Sequence, residues 1–344
     1  MSRQSRRRPR KTKSPRMRFL KKLFFLSILL VVAGITGFAY WAKQPITTEG
    51  EPIPFTISSG SGVGAASQQI AKAGVPINPF LFSLLARLTQ KASQIKAGSY
   101  ELKANTAPRA LIGQLVRGEF AQESLTIIEG WTFRQMRQAL AASKSLKHDA
   151  AELSDKELIA KISTEYKSPE GLFFPDTYLF AKGASELSIY KQAHSLLLQR
   201  LAAAWEKRDP DLPYKSPYEA LIMASIVEKE TGQKSERAMI AGVFINRLKQ
   251  NMLLQTDPTV IYGMGDGYAG NIRKKDLETD SPYNTYMRAG LPPTPIALPG
   301  VQSLAAALGP AKTEALYFVA RKDGTSKFSD NLTDHNKAVN QYQR

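Results

Sequence analysis

The chain has 344 residues, 43% of them apolar, and a formal net charge of +17; that is enough for two domains of ordinary size and, by charge alone, suggestive of a nucleic-acid partner. Residues 1–22 hold eleven Lys or Arg and no Asp or Glu, so the excess is a basic tail, which an anionic membrane surface explains without nucleic acid. There is no cysteine, which excludes disulfides, thiolate catalysis and cysteine metal sites.

Residues 23–41 (Leu23 to Trp41) carry no charge, and as a helix at ~1.5 Å per residue they reach roughly 28 Å, close to the thickness of a bilayer core. Tyr40 and Trp41 stand where interfacial aromatics are expected. A signal peptide competes with this reading, but its apolar core is shorter and ends in small residues. An uncleaved transmembrane helix is therefore expected, and the excess of Lys and Arg before it places residues 1–22 in the cytoplasm and the remainder outside.

Residues 42–54 read as a linker. From 55 to 145, short strands and helices alternate, which suggests a small α/β module: helices over 63–73, 79–91, 108–116 and 132–142, and extended segments over 98–102 and 125–128. The Gly60-Ser61-Gly62-Val63-Gly64 run lacks the Lys-Ser/Thr of a phosphate loop and is a turn. Residues 143–168 are polar and read as a connector. Pro169 to Tyr178 combines prolines, a glycine and aromatics beside carboxylates, which suits either a sugar-binding groove or core filling. Residues 187–207 have the apolar spacing of an amphipathic helix.

The strongest helix signal is Ser216 to Gly232. Ser216 suits an N-cap, Pro217 the first helical position, Glu219 a capping box and Gly232 a left-handed stop. Leu221, Ile222, Met223, Ala224, Ile226 and Val227 point all round the axis, the mark of a buried helix. Its last turn carries Glu228 and Glu230. A carboxyl there, short of water and facing the negative end of the helix dipole, is a candidate proton donor near neutral pH; an exposed helix end with two ordinary acids is the alternative. Another helix covers 235–251. Residues 251–300, rich in Gly, Pro, Asp, Asn and Tyr, read as a long loop that walls a cleft. A helix from 303, strands at 315–320 and 327–329 and a polar helix over 334–342 complete the chain. His148, His194 and His335 lack ligand spacing, and the first two read as surface residues; neither metal nor cofactor is expected.

Several motifs follow in order along the chain: Ile128-Glu129-Gly130-Trp131-Thr132, Pro175-Asp176-Thr177-Tyr178, Ala224 to Thr231 (ASIVEKET), Asn246-Arg247-Leu248, Leu254 to Gly263 (LQTDPTVIYG), Ser281 to Tyr286 (SPYNTY), Gly290 to Ile296 and Asp334-His335-Asn336. With these in place the chain resembles the endolytic murein transglycosylase (YceG-like) family. The resemblance implies an α+β protein with a single transmembrane helix, a LysM-like module over 55–145 and a mixed, helix-rich catalytic domain over 146–344 with a loop-built cleft. It implies a place in the bacterial inner membrane with the catalytic domain periplasmic, and cleavage of nascent peptidoglycan strands to leave 1,6-anhydro-muramyl ends. A glycan-polymerising synthase is the implied partner. The family's catalytic glutamate falls, on this reading, on Glu228, acting as acid and then base. Ser225, Gln255, Asn284, Tyr283 and Tyr286 are candidates to orient the acid or bind the sugar. Ser326-Lys327-Phe328 departs from the family, which often has a histidine before that phenylalanine. A hydrolytic muramidase using Asp257 or Asp280 as second carboxylate, and a non-catalytic glycan- or synthase-binding scaffold, are the rival readings.

Overall fold

The computed structural model describes residues 15–48 and 52–343; the first fourteen residues of the basic tail, and 49–51 of the linker, lie outside the described residues. Contacts divide the chain between Ala121 and Gln122.

The first unit begins with helix α1 (Pro15–Trp41), whose stretch Lys22–Trp41 is long and apolar enough to cross a membrane. Strand β1 (Ile53–Ile57), helices α2 (Val63–Lys72) and α3 (Pro79–Leu88), strand β2 (Gly98–Leu102) and helix α4 (Pro108–Arg117) follow. β1 and β2 pair antiparallel, with Ile53 opposite Leu102 and Phe55 opposite Tyr100. Side chains alternate across a strand, so Phe55, Ile57, Tyr100 and Leu102 share one face and meet Ile70, Phe82, Leu111 and Leu115 in the core. Phe55 and Tyr100 stack at 5.6 Å. Ala42 and Ile46, just after α1, are buried in this same core.

The second unit contains β3 (Gln122–Thr126), α5 (Phe133–Ala142), β4 (Leu146–Lys147), α6 (Asp155–Ala160), β5 (Thr177–Ala181), β6 (Ala184–Ser185) and α7 (Glu186–Glu206). Then come α8 (Pro217–Glu230), α9 (Arg237–Lys249), α10 (Asp257–Met264), α11 (Lys274–Glu278), α12 (Val301–Leu308), β7 (Tyr317–Ala320), β8 (Ser326–Ser329) and α13 (Leu332–Tyr342). The expected boundary at 145/146 is displaced for a clear reason: β3 pairs antiparallel with β5, and Phe133, Met136 and Leu140 of α5 lie in the core of this unit. Nor is 143–168 a connector, because Leu146, Ala150, Leu158 and Ile159 are buried there.

Helix α8 is the hub. Ala220 to Val227 are all buried, and α7, α9, α10 and α12 pack around it. Ser216 caps it, its hydroxyl accepting from Glu219 N at 3.4 Å, but the Glu219 carboxylate reaches back to Lys215 N at 2.6 Å instead of completing a capping box on Ser216. Gly232 is not a left-handed stop; Thr231 ends the helix by turning to extended backbone, φ −141°. The aromatics of the Pro169–Tyr178 segment fill the core: Leu172, Phe173, Phe174 and Tyr178 are buried. So is His194, expected at the surface, whose Nδ1 lies 2.9 Å from Leu172 O. The long 251–300 loop is interrupted by α10 and α11; with no regular structure from 279 to 300, its second half keeps the expected character.

Candidate active site

Glu228 and Glu230 lie two residues apart in the last turn of α8, about 200° apart around its axis, and their surroundings differ. The Glu228 carboxylate accepts from Arg237 Nη2 at 2.9 Å, Gly300 N at 3.0 Å and Ser303 Oγ at 2.7 Å. Its side chain and that of Arg237 are 5% and 6% exposed. Arg237 opens α9, and Gly300 and Ser303 stand at the start of α12, so Glu228 ties three helices together. It is absent from the lining of the large cavity beside it. The expected assignment of Glu228 as the substrate-facing acid therefore meets a carboxylate whose two oxygens are already held by three internal donors.

Glu230 does line that cavity, which has a volume of about 970 Å³ and carries Glu236 and Asp257 as well. One of its oxygens accepts from Thr256 Oγ1 at 2.7 Å. Burial pushes its pKa up and the nearby Asp257 adds to the rise, while the Thr256 bond and Arg247 pull the other way. Thr256 is itself fixed from below: its N donates to Thr285 Oγ1 at 3.1 Å, and Thr285 and Thr259 hydroxyls meet at 2.9 Å. Gln255, next to it and also on the cavity, has φ +51°, a left-handed conformation that costs a residue with a side chain roughly 1 kcal/mol or more. The strain sits beside the acid's own hydrogen-bond partner.

The rest of the cavity is aromatic and polar. Tyr286 donates to Asp257 Oδ1 at 2.6 Å. Arg247 donates through Nε to Leu316 O at 2.7 Å and through Nη1 to Leu254 O at 2.8 Å, its guanidinium carbon 5.1 Å from the Tyr317 ring centre. Tyr317 stacks on His335 at 5.1 Å; burial, with help from Arg247, holds the His335 imidazole below the usual histidine range. These aromatic faces offer flat apolar surface of the kind sugar rings pack against, with carboxyl, amide and guanidinium groups between them.

Of the five supporting residues expected from sequence, Gln255 and Tyr286 line this cavity and the other three do not. Ser225 is fully buried, donating to Ile222 O at 2.7 Å and accepting from Ile296 N at 3.0 Å. Asn284, 1% exposed, donates to Leu277 O at 2.9 Å and Thr279 O at 2.7 Å and accepts from Tyr286 N at 2.9 Å. Tyr283 shares a 2.9 Å bond with Thr294 Oγ1 and packs edge-on against Tyr262 at 4.9 Å. All three spend their polar atoms on shaping the loops. Arg247, Tyr317 and His335 are cavity residues to which the sequence reading gave no role at the site, although Arg247 and His335 fall within the quoted motifs; an arginine on the buried side of an otherwise apolar helix was the available signal.

A second buried acid lies outside the cavity. Gly171, at φ +76° and closely packed on Pro295, turns the chain so that Glu170 is buried. Its carboxylate accepts from Phe133 N at 3.0 Å, at the start of α5, and from Tyr262 OH at 3.1 Å. Burial pushes its pKa up to about 7.

These features define a wall-forming α+β unit built on a central buried helix with an acid at its exit, and residues 55–341 match the YceG-like family. The chain belongs to that family. It is 34% identical over 336 residues to the endolytic murein transglycosylase of Bacillus subtilis (strain 168), covering 91% of each chain. It is 28% identical over 367 residues to the endolytic murein transglycosylase of Streptococcus pneumoniae serotype 2, covering 92% of this chain and 65% of that one. A crystal structure of a YceG-like protein from Listeria monocytogenes superposes with a TM-score of 0.54 at 33% identity, over 84% of this chain and all of that one.

Proposed function

We propose that this chain is a membrane-anchored lytic transglycosylase that cleaves the glycan strands of peptidoglycan within the strand, with Glu230 as its acid and base. The observation that carries the assignment is the position of Glu230: a carboxyl at the end of a buried helix, raised in pKa by its burial, on a cavity of about 970 Å³ walled by aromatic and polar groups. Glu230 protonates the glycosidic oxygen as the bond to C1 of the muramyl sugar breaks. The resulting carboxylate takes the proton from the C6 hydroxyl as that oxygen closes on C1, leaving a 1,6-anhydro end. Because the nucleophile belongs to the same sugar, it is held close without a bound water, and one carboxyl serves both steps. Thr256 holds one oxygen of the acid; Tyr286 and Asp257, Gln255 and the Tyr317–His335 pair form the surface for the sugars.

The second unit carries this activity. In the first unit, the order strand–helix–helix–strand with a paired β1 and β2 supports the LysM-like reading, with glycan contact as its role. Helix α1 anchors the chain in the inner membrane, with the basic tail cytoplasmic and everything after α1 outside; cleavage close to the membrane ends nascent strands, beside the synthase that makes them.

A hydrolytic muramidase is the second reading, favoured by one observation: Asp257 lines the same cavity as Glu230. Asp280, the other expected partner, is engaged by Arg288 through bonds of 2.7 and 2.8 Å and is not on the cavity. Mass spectrometry of products from uncrosslinked strands separates the cases. New ends one water lighter than the hydrolytic product support the transglycosylase; water-containing ends overturn it, and intact strands favour a scaffold.

A further inference from the structure

The first unit holds a basic recess that the glycan chemistry does not use. It has a volume of about 420 Å³ and is lined by Lys43, Lys91, Arg109 and Arg117, with the small residues Ala42, Ala107, Ala110 and Gly113 as its floor. The unit around it is unbalanced in charge, residues 52–121 carrying seven Lys or Arg against Glu101 and Glu119. Glu119 meets Arg117 on its Nε side; among the described residues Lys43, Lys91 and Arg109 have no ion-pair partner.

Two features fix where this recess lies. Lys43 is two residues beyond Trp41, and its N donates to Tyr40 O at 3.0 Å, so it stays within a turn of the end of the apolar span. Tyr40 is 69% exposed there, as an interfacial aromatic would be. The chain after α1 is also locked to α4: Arg109 N donates to Ala42 O at 3.1 Å and Ile46 N to Thr106 O at 3.0 Å, with Ala42 and Ile46 buried. The cations from α1's exit, from just after α3 and from α4 are therefore gathered around one recess at the end of the apolar span.

At Gly113, in the floor, a Cβ would come within 3.0 Å of Arg117 Nη1; the guanidinium lies folded back along the helix over the recess.

We infer that this recess binds the phosphate headgroup of an anionic phospholipid in the leaflet into which α1 emerges, clamping the first unit to the membrane surface. The inference rests on the membrane-anchor reading of α1. The geometry favours a lipid over a free anion because the cations surround the point where the chain leaves the apolar span, the level at which headgroup phosphates lie. A basic residue near an anionic surface contributes about fivefold to affinity, so neutralising two costs about twenty-five-fold.

The test uses the full chain with its basic tail intact. Flotation with phosphatidylcholine vesicles first checks the anchor. Native mass spectrometry of the detergent-solubilised chain then compares retention of phosphatidylglycerol and phosphatidylcholine in wild type and in Lys91→Gln/Arg109→Gln, with inorganic phosphate as competitor. The expected result is preference for phosphatidylglycerol, one tightly held lipid lost and roughly twenty-five-fold weaker retention in the double variant, and no displacement by millimolar phosphate. Lipid contacts of the tail are common to both proteins and cancel. Equal phosphatidylglycerol retention by the variant overturns the inference alone, and displacement by inorganic phosphate reassigns the recess to a soluble anion. A wild-type chain that fails to float overturns the anchor and the lipid site together. Far-ultraviolet circular dichroism and a thermal melt matching wild type confirm that the double variant's fold is intact.

Discussion

Exchanging each acid in the last turn of α8 for its amide should separate Glu228 from Glu230 by assay. In Glu230→Gln the amide oxygen can still accept from Thr256 Oγ1, now at 2.7 Å from the acid, so the fold is kept and the apparent Tm stays within about 2 °C, the shift expected of ~0.5 kcal/mol in a unit of this size. What disappears is the transferable proton. General acid–base catalysis contributes about 10²–10⁴-fold, so strand cleavage falls by that factor, equivalent to about 3–5 kcal/mol of barrier. Glu228→Gln does the opposite. One end of an amide can accept and the other cannot, so either Arg237 or the Gly300–Ser303 pair loses its acceptor, and Arg237 already has Nε and Nη1 buried without partners. Breaking a buried ion pair costs about 3–5 kcal/mol, and at 3 kcal/mol the apparent Tm falls by roughly 6–12 °C. Thermal melts and initial cleavage rates on the same preparations decide the matter. A Glu230→Gln enzyme within tenfold of wild type, alongside an inactive Glu228→Gln enzyme with an unshifted Tm, would refute this assignment and return the role to Glu228.

Two further outcomes follow from groups outside the cavity. Glu170 has a folded pKa of about 7 against an ordinary 4.5, so the native state holds its proton more tightly than the unfolded chain. The associated stability is complete below about pH 4.5 and is lost as pH rises through 7, a change of about 3 kcal/mol; wild-type Tm should therefore decline across this range relative to Glu170→Gln, and parallel curves for the two proteins would count against it. Asn284→Ala strands the carbonyls of Leu277 and Thr279 and the N–H of Tyr286; at about 1 kcal/mol per lost bond, it should lower Tm by several degrees and raise KM through the displaced Tyr286, and a wild-type melt would show that the loop holds its shape without it.

How far these elements could be read in advance depended on the range of the interactions behind them. α8 is legible because its start is written in Ser216-Pro217 and its burial in a run of apolar residues. β2 is predicted with the observed bounds, since Gly98 and the alternation around Tyr100 are local. The domain boundary was not legible: β3 is mostly exposed and owes its existence to β5, some fifty residues later. The two glutamates show the same limit at the scale of one turn. Helical periodicity puts them on different faces, but it does not say which face a cavity will occupy. That depends on Arg237, which in sequence looks like an ordinary charge at the start of the next helix, and on Gly300 and Ser303, over seventy residues away. Likewise Asn284 and Ser225 are polar residues in a cleft-like context whose bonds prove to be internal.

The far side of the cavity, with Tyr317 and His335 on its lining, bears on how the protein is made. These residues follow Glu230 by roughly 90–105 positions, which at about 5–20 residues per second of synthesis is a delay of some 5–20 s. Through that interval Arg247, Thr256 and Asp257, the groups nearest Glu230, are already made, while Tyr317 and His335 are not. On the proposed assignment, Glu230 has no complete cavity to act in until these last residues have been made.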